Sequence, residues 1–451
     1  MNVSSYGTRV RMLEYWAKFA PSLESMMLDK TAGQMHLDEQ EEIFSLLPSL
    51  RNKRVLELGA GIGRYTGLLA SEAYRVTAVD FMEEYINVNE QNNKRASNIT
   101  YIAADVLDLQ MPNKKFGAIF SNWLLMYLTD QECVTLLQKI LLWLEDGGWL
   151  FFRESCFHSS GNMSRQTNPT FYRTPADYAS LLEAAWVSSN DSILEPAETG
   201  YGFDMVSVGS LRSYIKHKNN SYQIYFLAKK VDKPMDSKDS FQQFLDKKQY
   251  SRNGVRRYEW IFGKTFLSTG GFTTTKNFGV DVLGVDLSVN MMTVATEYLS
   301  EKKHLDNRVK FVICDITKSI YEDNSFDTIY SRDTLLHISN KEELFKNFQR
   351  WLKPGGKILF TDYTRSEKEF SPNFKQYITD RGYNLLTTQQ YKELLEKSGF
   401  VNIRAEDATD EFLSALHAEI SRLRAEKEEF LKVRTANEIY CNTLDAIATR
   451  Y

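Results

Sequence analysis

Apolar residues along this chain fall into short unbroken runs, and longer stretches with helical spacing lie between them. Val55-Leu56-Glu57-Leu58, Val76-Thr77-Ala78-Val79, Ile99-Thr100-Tyr101-Ile102, Phe116-Gly117-Ala118-Ile119-Phe120 and Trp149-Leu150-Phe151-Phe152 read as five buried strands. A helix is expected behind the first, over residues 64–72. Between the fourth and fifth, residues 133–144 place apolar side chains at helical intervals and stop at the turn Asp146-Gly147-Gly148. Strand and helix alternating through short turns predict a doubly wound, mostly parallel sheet. Residues 9–30, with Tyr15, Trp16 and Phe19 among polar neighbours, read as a helical lid over that sheet or over its ligand. Residues 221–228 read as a last strand, and residues 229–240, dense in lysine and aspartate, as a linker.

The pattern then returns. Val282–Asp286 matches the second strand and its terminal aspartate, residues 311–315 match the third, and residues 326–331 the fourth. Gly355-Gly356 matches the turn at Gly147-Gly148, so the offset stays near roughly 208 residues, an internal repeat. One piece is missing: no counterpart of residues 57–63 precedes Asp286. A doubly wound sheet without its central strand loses ladder partners on both sides. The second half is therefore expected to be less stable and a poor cofactor binder, unless residues 280–285 serve as both strands. It ends in an amphipathic helix through Phe412, Leu416 and Ile420, without a final strand.

The chemistry of the first half gathers at strand ends. Glu57 ends the first strand, and Gly59, Gly61 and Gly63 let the backbone turn tightly and approach a ligand with no Cβ in the way. A dinucleotide fingerprint would need a third glycine where Arg64 stands. Asp80 ends the second strand, where a carboxylate can accept both ribose hydroxyls, and Asp105 ends the third, placed to meet an adenine amino group. Together these residues resemble the S-adenosylmethionine site of the class I methyltransferases. Arg173, after the fifth strand, has the fork to hold a phosphate or carboxylate, with Tyr172 beside it; the alternative is an ordinary surface arginine.

Composition narrows the field. With 451 residues two domains are expected, over 1–232 and 233–451. A net charge of −4 argues against a nucleic-acid partner. No apolar run is long enough to insert in a membrane, and the first 16 residues lack a secretory pattern. Cys133, Cys156, Cys314 and Cys441 are scattered singly and the six histidines offer no metal-ligand pair, so a cytoplasmic, metal-free protein is expected.

Longer runs carry a closer likeness: residues 55–63, 121–127, 152–158 and 168–173, then Gln249-Tyr250, 258–263, 268–271 and 331–337. In these the chain resembles the tandem phosphoethanolamine N-methyltransferases. The resemblance implies an α/β protein with two class I methyltransferase domains in tandem, the second incomplete. It also implies S-adenosylmethionine as cofactor and a small phosphobase as substrate, with no nucleic-acid partner; the sequence itself leaves the oligomeric state open, a monomer being the default expectation. For the first half it implies cofactor contacts from Glu57, Gly59, Gly61, Gly63, Asp80, Asp105, Val106 and Asn122, and substrate contacts from Tyr172 and Arg173. For the second it implies a Tyr250–His337 pair that locks the substrate and takes the amine proton. Phosphate contacts fall there on Tyr377, Arg381 and Tyr383, with Tyr258 in the substrate set and Asp333 near the amine. Cofactor positions are Ser268, Asp286, Asp315, Ile316 and Arg332; the family's terminal lysine has no match.

In the first half Tyr127 stands where the second has His337. Tyr127, Tyr15 and His158 are therefore the candidates for handling the proton. Trp123 and nearby tyrosines are candidates for cation–π contact with a methylated ammonium, or are core aromatics. Two readings follow: an enzyme working mainly through residues 1–232, or a catalytically weak splice-type variant that binds phosphobase or the full-length enzyme as a regulator. A nucleic-acid methyltransferase on the same fold is disfavoured by the charge.

Overall fold

The computed structural model describes residues 3–29, 32–159, 169–188, 199–233, 282–301, 309–367 and 369–425. The five apolar runs form β1 (Arg54–Leu58), β2 (Arg75–Asp80), β3 (Ile99–Ala103), β4 (Phe116–Asn122) and β5 (Leu144–Ser155). All pair in parallel in the order β3-β2-β1-β4-β5, with Val55 opposite Val76 on one side and Ala118 on the other. Four of the five β1 side chains and six of the seven in β4 are buried, as expected for parallel strands covered on both faces. Along the first half run α1 (Val3–Trp16), α2 (Leu23–Met27), α3 (Ala32–Leu46), α4 (Thr66–Glu72), α5 (Glu83–Asn92), α6 (Asp130–Trp143), α7 (Pro175–Ala184) and α8 (Arg212–Lys218). Capping boxes start α6 (Thr129 with Glu132) and α7 (Thr174 with Asp177).

Two antiparallel strands extend the sheet beyond β5. β8 (Gln223–Asp232) pairs with β5, and β7 (Gly200–Ser210) with β8, while the short β6 (Val187–Ser188) lies against β7. The residues expected to open the linker, Lys229 to Asp232, are the last turn-free stretch of β8, because Lys230 is buried with its ammonium on Leu144 O at 2.9 Å. Nothing in the alternation of the sequence marked β6 and β7 as strands.

The chain clusters into two compact units, Met1–Lys248 with Val280–Cys314, and Gln249–Gly279 with Asp315–Tyr451. This differs from a division at residue 232. β9 (Val282–Asp286), α9 (Val289–Glu301) and β10 (Val309–Ile313) belong to the first unit. β9 pairs in parallel with β10 as β2 does with β3, so it does not stand in for the missing central strand. β10 instead lies antiparallel to the edge of β7, Val312 opposite Gly209 and Ile313 opposite Val208. Val289, Met292 and Ile313 join the same buried cluster as Leu181, Leu182 and Val208. A strand pair without its own β1 has satisfied its ladder on the nearest available edge.

In the second unit β11 (Phe326–Arg332) and β12 (Leu352–Thr361) form a two-stranded parallel sheet. α10 (Lys341–Trp351) and α12 (Thr388–Lys397) cover one face: Phe345, Phe348, Trp351, Tyr391 and Leu395 pack with Ile329, Ile358 and Phe360. α11 (Pro372–Arg381) and α13 (Thr409–Ala425) complete the described helices. The alternate residues of β12 are exposed, Leu359 by 57%. Strands buried on both faces in the first unit are thus half-solvated in the second. Hydrogen exchange at native pH tests this difference: amides of β11 should exchange at least ~100-fold faster than those of β4 at matched sequence positions.

Candidate functional site

The loop after β1 turns through three left-handed glycines, Gly59 (φ +70°), Gly61 (φ +53°) and Gly63 (φ +87°). They do different jobs. A Cβ on Gly61 would meet only Met26 Sδ at 3.4 Å, so backbone conformation is its main demand. A Cβ on Gly63 would sit 2.6 Å from Asn93 Nδ2 and closer still to Asn89 Oδ1, so there both conformation and space exclude a side chain.

Asp80 braces the loop. Its Oδ2 accepts the Gly61 N–H at 2.8 Å and its Oδ1 the Met82 N–H at 2.9 Å. Burial pushes its carboxyl up to about 6, opposed by backbone N–H groups of Met82, Gly61 and Phe81. Glu57 is buried and accepts the Thr66 hydroxyl at 2.6 Å; burial pushes it up to about 8, with the Thr66 bond opposing and Asp80 adding to the rise. Asp105, half-buried, accepts the Leu107 N–H at 2.9 Å, with Val106 buried beside it. These strand ends line one cavity with Gly59, Gly61, Asn122, Trp123 and Tyr127. All the expected cofactor contacts of the first half except Gly63 face it. Asn122 Oδ1 is buried there without a hydrogen-bond partner.

The lid is real. Met12 and Trp16 of α1 and Met26 of α2 line the same cavity. Trp16 meets Tyr127 edge-on at 5.7 Å, Tyr85 at 6.3 Å and Tyr15 at 5.5 Å between ring centroids. Tyr15 and Tyr172 pack in this aromatic cluster, and Tyr127 faces the cavity itself. Trp123 sits in the left-handed region (φ +58°), and the Arg153 guanidinium lies 3.7 Å from its ring centroid. A protein cation thus already occupies the cation–π partnership expected for substrate. Arg153 is fully buried and pairs with Glu39 of α3, which also pairs with Arg64 just beyond the glycine loop. This ion cluster, spread over residues 39, 64 and 153, was invisible to spacing arguments.

Two first-half expectations are corrected. Arg173 donates through Nε to Asp130 Oδ1 at 2.8 Å, through NH1 to Leu125 O at 3.0 Å and through NH2 to Leu128 O at 2.6 Å. Its fork clamps the turn at Leu125–Tyr127 to the start of α6, and it does not line the cavity. His158 is exposed, bonded to Ser159 O at 2.9 Å and packed on Tyr222, away from the cavity lining. Glu154, which no motif marked, pins the same turn: its carboxylate accepts the N–H groups of Leu124, Leu125 and Met126 at 3.1, 2.7 and 3.3 Å. Burial still pushes it up to about 7.

The second half is divided. Asp286 lies in the first unit, exposed, accepting the Ser288 N–H at 2.7 Å. Asp315, Ile316 and Arg332 lie in the second. Tyr250, Tyr258 and Ser268 fall outside the described residues. The substrate end is better assembled. His337 packs on Tyr383 at 5.1 Å, Tyr383 on Tyr377 at 6.0 Å, and the Arg381 guanidinium lies 5.5 Å over Tyr377. Burial and the charges of Arg381 and Lys341 push His337 down to about 4, so its ring is neutral at physiological pH. Asp333 repeats the left-handed conformation of Trp123 (φ +50°) and accepts the Thr361 hydroxyl at 3.3 Å.

Two outcomes follow from the loop. Gly63→Ala should lower stability by about 1–3 kcal/mol in denaturant unfolding, and Gly61→Ala by less. Asp80, Glu154 and Glu57 all have folded pKa values above their unfolded ones. Their stabilising contribution is therefore full at low pH and fades as pH rises through about 6, 7 and 8 respectively. Cofactor binding is expected to run the other way, since the carboxylate expected to take two ribose hydroxyls does so in its ionised form. Affinity for S-adenosylmethionine measured by calorimetry should fall up to about tenfold per pH unit below the Asp80 value, and Asp80→Asn should flatten that slope.

Comparison with known proteins places this geometry. Residues 55–148 and 268–360 each match a family model described as a methyltransferase domain. Phosphoethanolamine N-methyltransferase 3 of Arabidopsis thaliana is 43% identical, over 95% of this chain and 92% of its own length. Phosphoethanolamine N-methyltransferase of Triticum aestivum is 41% identical over 92% and 87%. Phosphoethanolamine N-methyltransferase 1 of Haemonchus contortus, solved with phosphoethanolamine and S-adenosylhomocysteine, superposes with a TM-score of 0.72 over 93% of this chain and 94% of its own, at 24% identity. That likeness shows a shared fold of two α/β methyltransferase domains. By the extent of its identity to the plant enzymes, the chain belongs to the phosphoethanolamine N-methyltransferases.

Proposed function

We propose that this chain transfers methyl groups from S-adenosylmethionine to the nitrogen of phosphoethanolamine, toward phosphocholine, and that its first unit carries the reaction. The observation that supports this most is a single cavity onto which the glycine loop, Asp80 and Asp105 open, closed on its outer side by the aromatics of α1. The unpartnered Asn122 Oδ1 suits a ligand that brings an N–H donor, such as the α-ammonium of the cofactor. When bound, the cofactor supplies an electrophilic sulfonium methyl.

The protein's part is orientation, exclusion of water and proton handling. Asp80 and Asp105 fix the nucleoside, and Trp16 and Met12 line the cavity on its α1 side, where they limit the entry of water. An ammonium has no lone pair, so the substrate must lose a proton before it can attack in line. Tyr127, at the cavity wall, is the group placed to take part in that transfer, with Tyr15 packed behind Trp16. Tyr172 joins the same aromatic cluster at the substrate side.

In the second unit His337, Tyr377, Arg381 and Tyr383 form a phosphobase-binding end, with Asp333 and Thr361 beside β12. β9 and β10 of that half join the sheet at β7, while β11 and β12 form a sheet of their own, which supports a single working site. The complete first loop favours an enzyme over a purely regulatory variant. Among the described residues no helix is long and apolar enough to cross a membrane. The thiols of Cys133 and Cys156 are free and buried, in keeping with a reducing, cytoplasmic setting.

A radiolabelled-methyl assay of the whole chain with phosphoethanolamine and its mono- and dimethyl forms tests the reading. Asp80→Ala should abolish transfer to every substrate, because loss of one held reactant removes most of the proximity advantage. His337→Ala should leave all rates within about twofold, since the transfer takes place in the first unit and His337 lies in the second. If His337→Ala stops methylation of the monomethyl form while Asp80→Ala spares it, the second half works and the single-site reading fails.

A further inference from the structure

α1 ends at Trp16, and the chain turns through residues 17–22 before α2 begins. The last carbonyls of a helix have no partner within it, and α1 carries no basic side chain in its last turn to meet them. Part of the need is met locally, by the Phe19 N–H on Trp16 O at 3.0 Å. The rest comes from outside. The Tyr85 hydroxyl lies 2.9 Å from Trp16 O and 3.2 Å from Phe19 O, so its one hydrogen is shared between them. Tyr85 is 3% exposed, lines the cavity and meets the Trp16 ring edge-on at 6.3 Å.

Tyr85 belongs to the corner that Asp80 forms. Asp80 Oδ1 accepts the Met82 N–H, and Met82 O in turn accepts the N–H groups of Tyr85 at 3.0 Å and Ile86 at 3.1 Å. The first turn of α5 therefore hangs from that carboxylate, which through Oδ2 also holds Gly61. The glycine loop, the start of α5 and, by way of Tyr85, the end of α1 are tied at one point. A helix in this place forms without the hydroxyl. Counted from Asp286, the position of Tyr85 is taken by Met291, the third residue of α9 as Tyr85 is the third of α5. A buried hydroxyl is costly unless bonded, and here the bonds go to the end of α1.

α1 is one layer deep over the cavity: Met12 and Trp16 line it, while Val10 and Leu13 on the other side are 37% and 43% exposed. Exchange of a ligand of nucleoside size on that side requires α1 to move, and what fastens α1 sets how long the ligand stays. We propose that Tyr85 is a positioning residue for methyl transfer, whose hydroxyl fastens the end of α1 to the Asp80 corner and keeps the lid shut over a bound cofactor. This rests on the reading of the cavity as the S-adenosylmethionine site. Tyr85 acts through α1 and takes no part in the proton transfer.

The test follows S-adenosylhomocysteine on the full chain by two measurements. Stopped-flow mixing gives its dissociation rate, and trypsin reports the lid, because Lys18 lies exposed in the turn that Tyr85 fastens. Cutting there under saturating ligand tracks the open fraction of the bound protein and is read as release of residues 1–18. Tyr85→Phe keeps the ring beside Trp16 and removes only the hydroxyl. Dissociation should speed up about fivefold, as loss of one net hydrogen bond implies, with association within about twofold of wild type. Cutting of the bound protein at Lys18 should rise by the same factor. Tyr85→Met, the residue of the second half, should act alike and serves if the phenylalanine variant folds poorly. Wild-type dissociation and cutting in whichever variant folds would overturn the proposal, even with a lowered unfolding midpoint, since the tyrosine would then only brace the fold. So would faster dissociation with unchanged cutting at Lys18, which makes Tyr85 a ligand contact and not a fastening of α1. Failure of the wild-type chain to bind S-adenosylhomocysteine would remove the cofactor-site reading, and the proposal with it.

Discussion

The fold depends on β1. In the first unit it is hydrogen-bonded on both sides, to β2 and to β4, at the point where the winding of the sheet reverses. That reversal is what opens a crevice at the carboxyl ends of the strands, and the glycine loop enters it directly from β1. Remove this strand and the ladder on each side is left with free N–H and C=O groups that must find partners elsewhere. The second half shows the result. Its β2 and β3 counterparts pair with each other and lie on the edge of β7, while its β4 and β5 counterparts form a separate two-stranded sheet. Asp286 and Asp315 keep the relation of Asp80 and Asp105 on neighbouring strands, with the Cys314 N–H on Asp286 O at 3.0 Å, but the pair of strands they follow now lies against β7 and not against a glycine-loop strand of its own.

Around the surviving site the protein uses buried charge in two ways. Asp80 and Glu154 are carboxylates wrapped in backbone N–H groups, one bracing the glycine loop and the other the turn that carries Tyr127. Glu39, by contrast, is gripped by two arginines, one from the loop and one from β5, and draws α3 against the sheet. Burial penalises each charge, and only full partnering makes it tolerable. The backbone-wrapped acids fix where the polypeptide runs. The Glu39 cluster fixes where side chains of three elements meet.

Much of this was legible in the sequence, and the reasons differ by feature. The strands β1 to β5 announce themselves because strands buried on both faces must be continuously apolar, and the cofactor residues because they cap those strands. The missing loop could be read as a gap in a repeat. Where its orphaned neighbours would go could not, since edge pairing of β10 on β7 depends on tertiary opportunity and not on any local pattern. Arg173 misled for a related reason. A guanidinium suits a phosphate and a pair of backbone carbonyls equally well, and only the position of Leu125 O and Leu128 O decides. Glu39, Arg64 and Glu154 were hidden because their partners are far away in sequence.

The placement of β9, α9 and β10 makes the first unit discontinuous along the chain. Its core includes Val289, Met292 and Ile313, which leave the ribosome well after β8 is complete. Until then the edge of β7 at Val208 and Gly209 has no strand beside it, among the described residues, and Leu181 and Leu182 lack part of their cover. An emerging chain that has reached residue 232 therefore carries every residue that lines the cavity of the first unit but still presents an open strand edge, the feature most prone to pairing with another copy. Synthesis must run on for some eighty residues more before that edge is closed from within. For the same reason a scissile site placed between the halves would not yield two separate proteins, because the later fragment would carry away part of the earlier one's sheet.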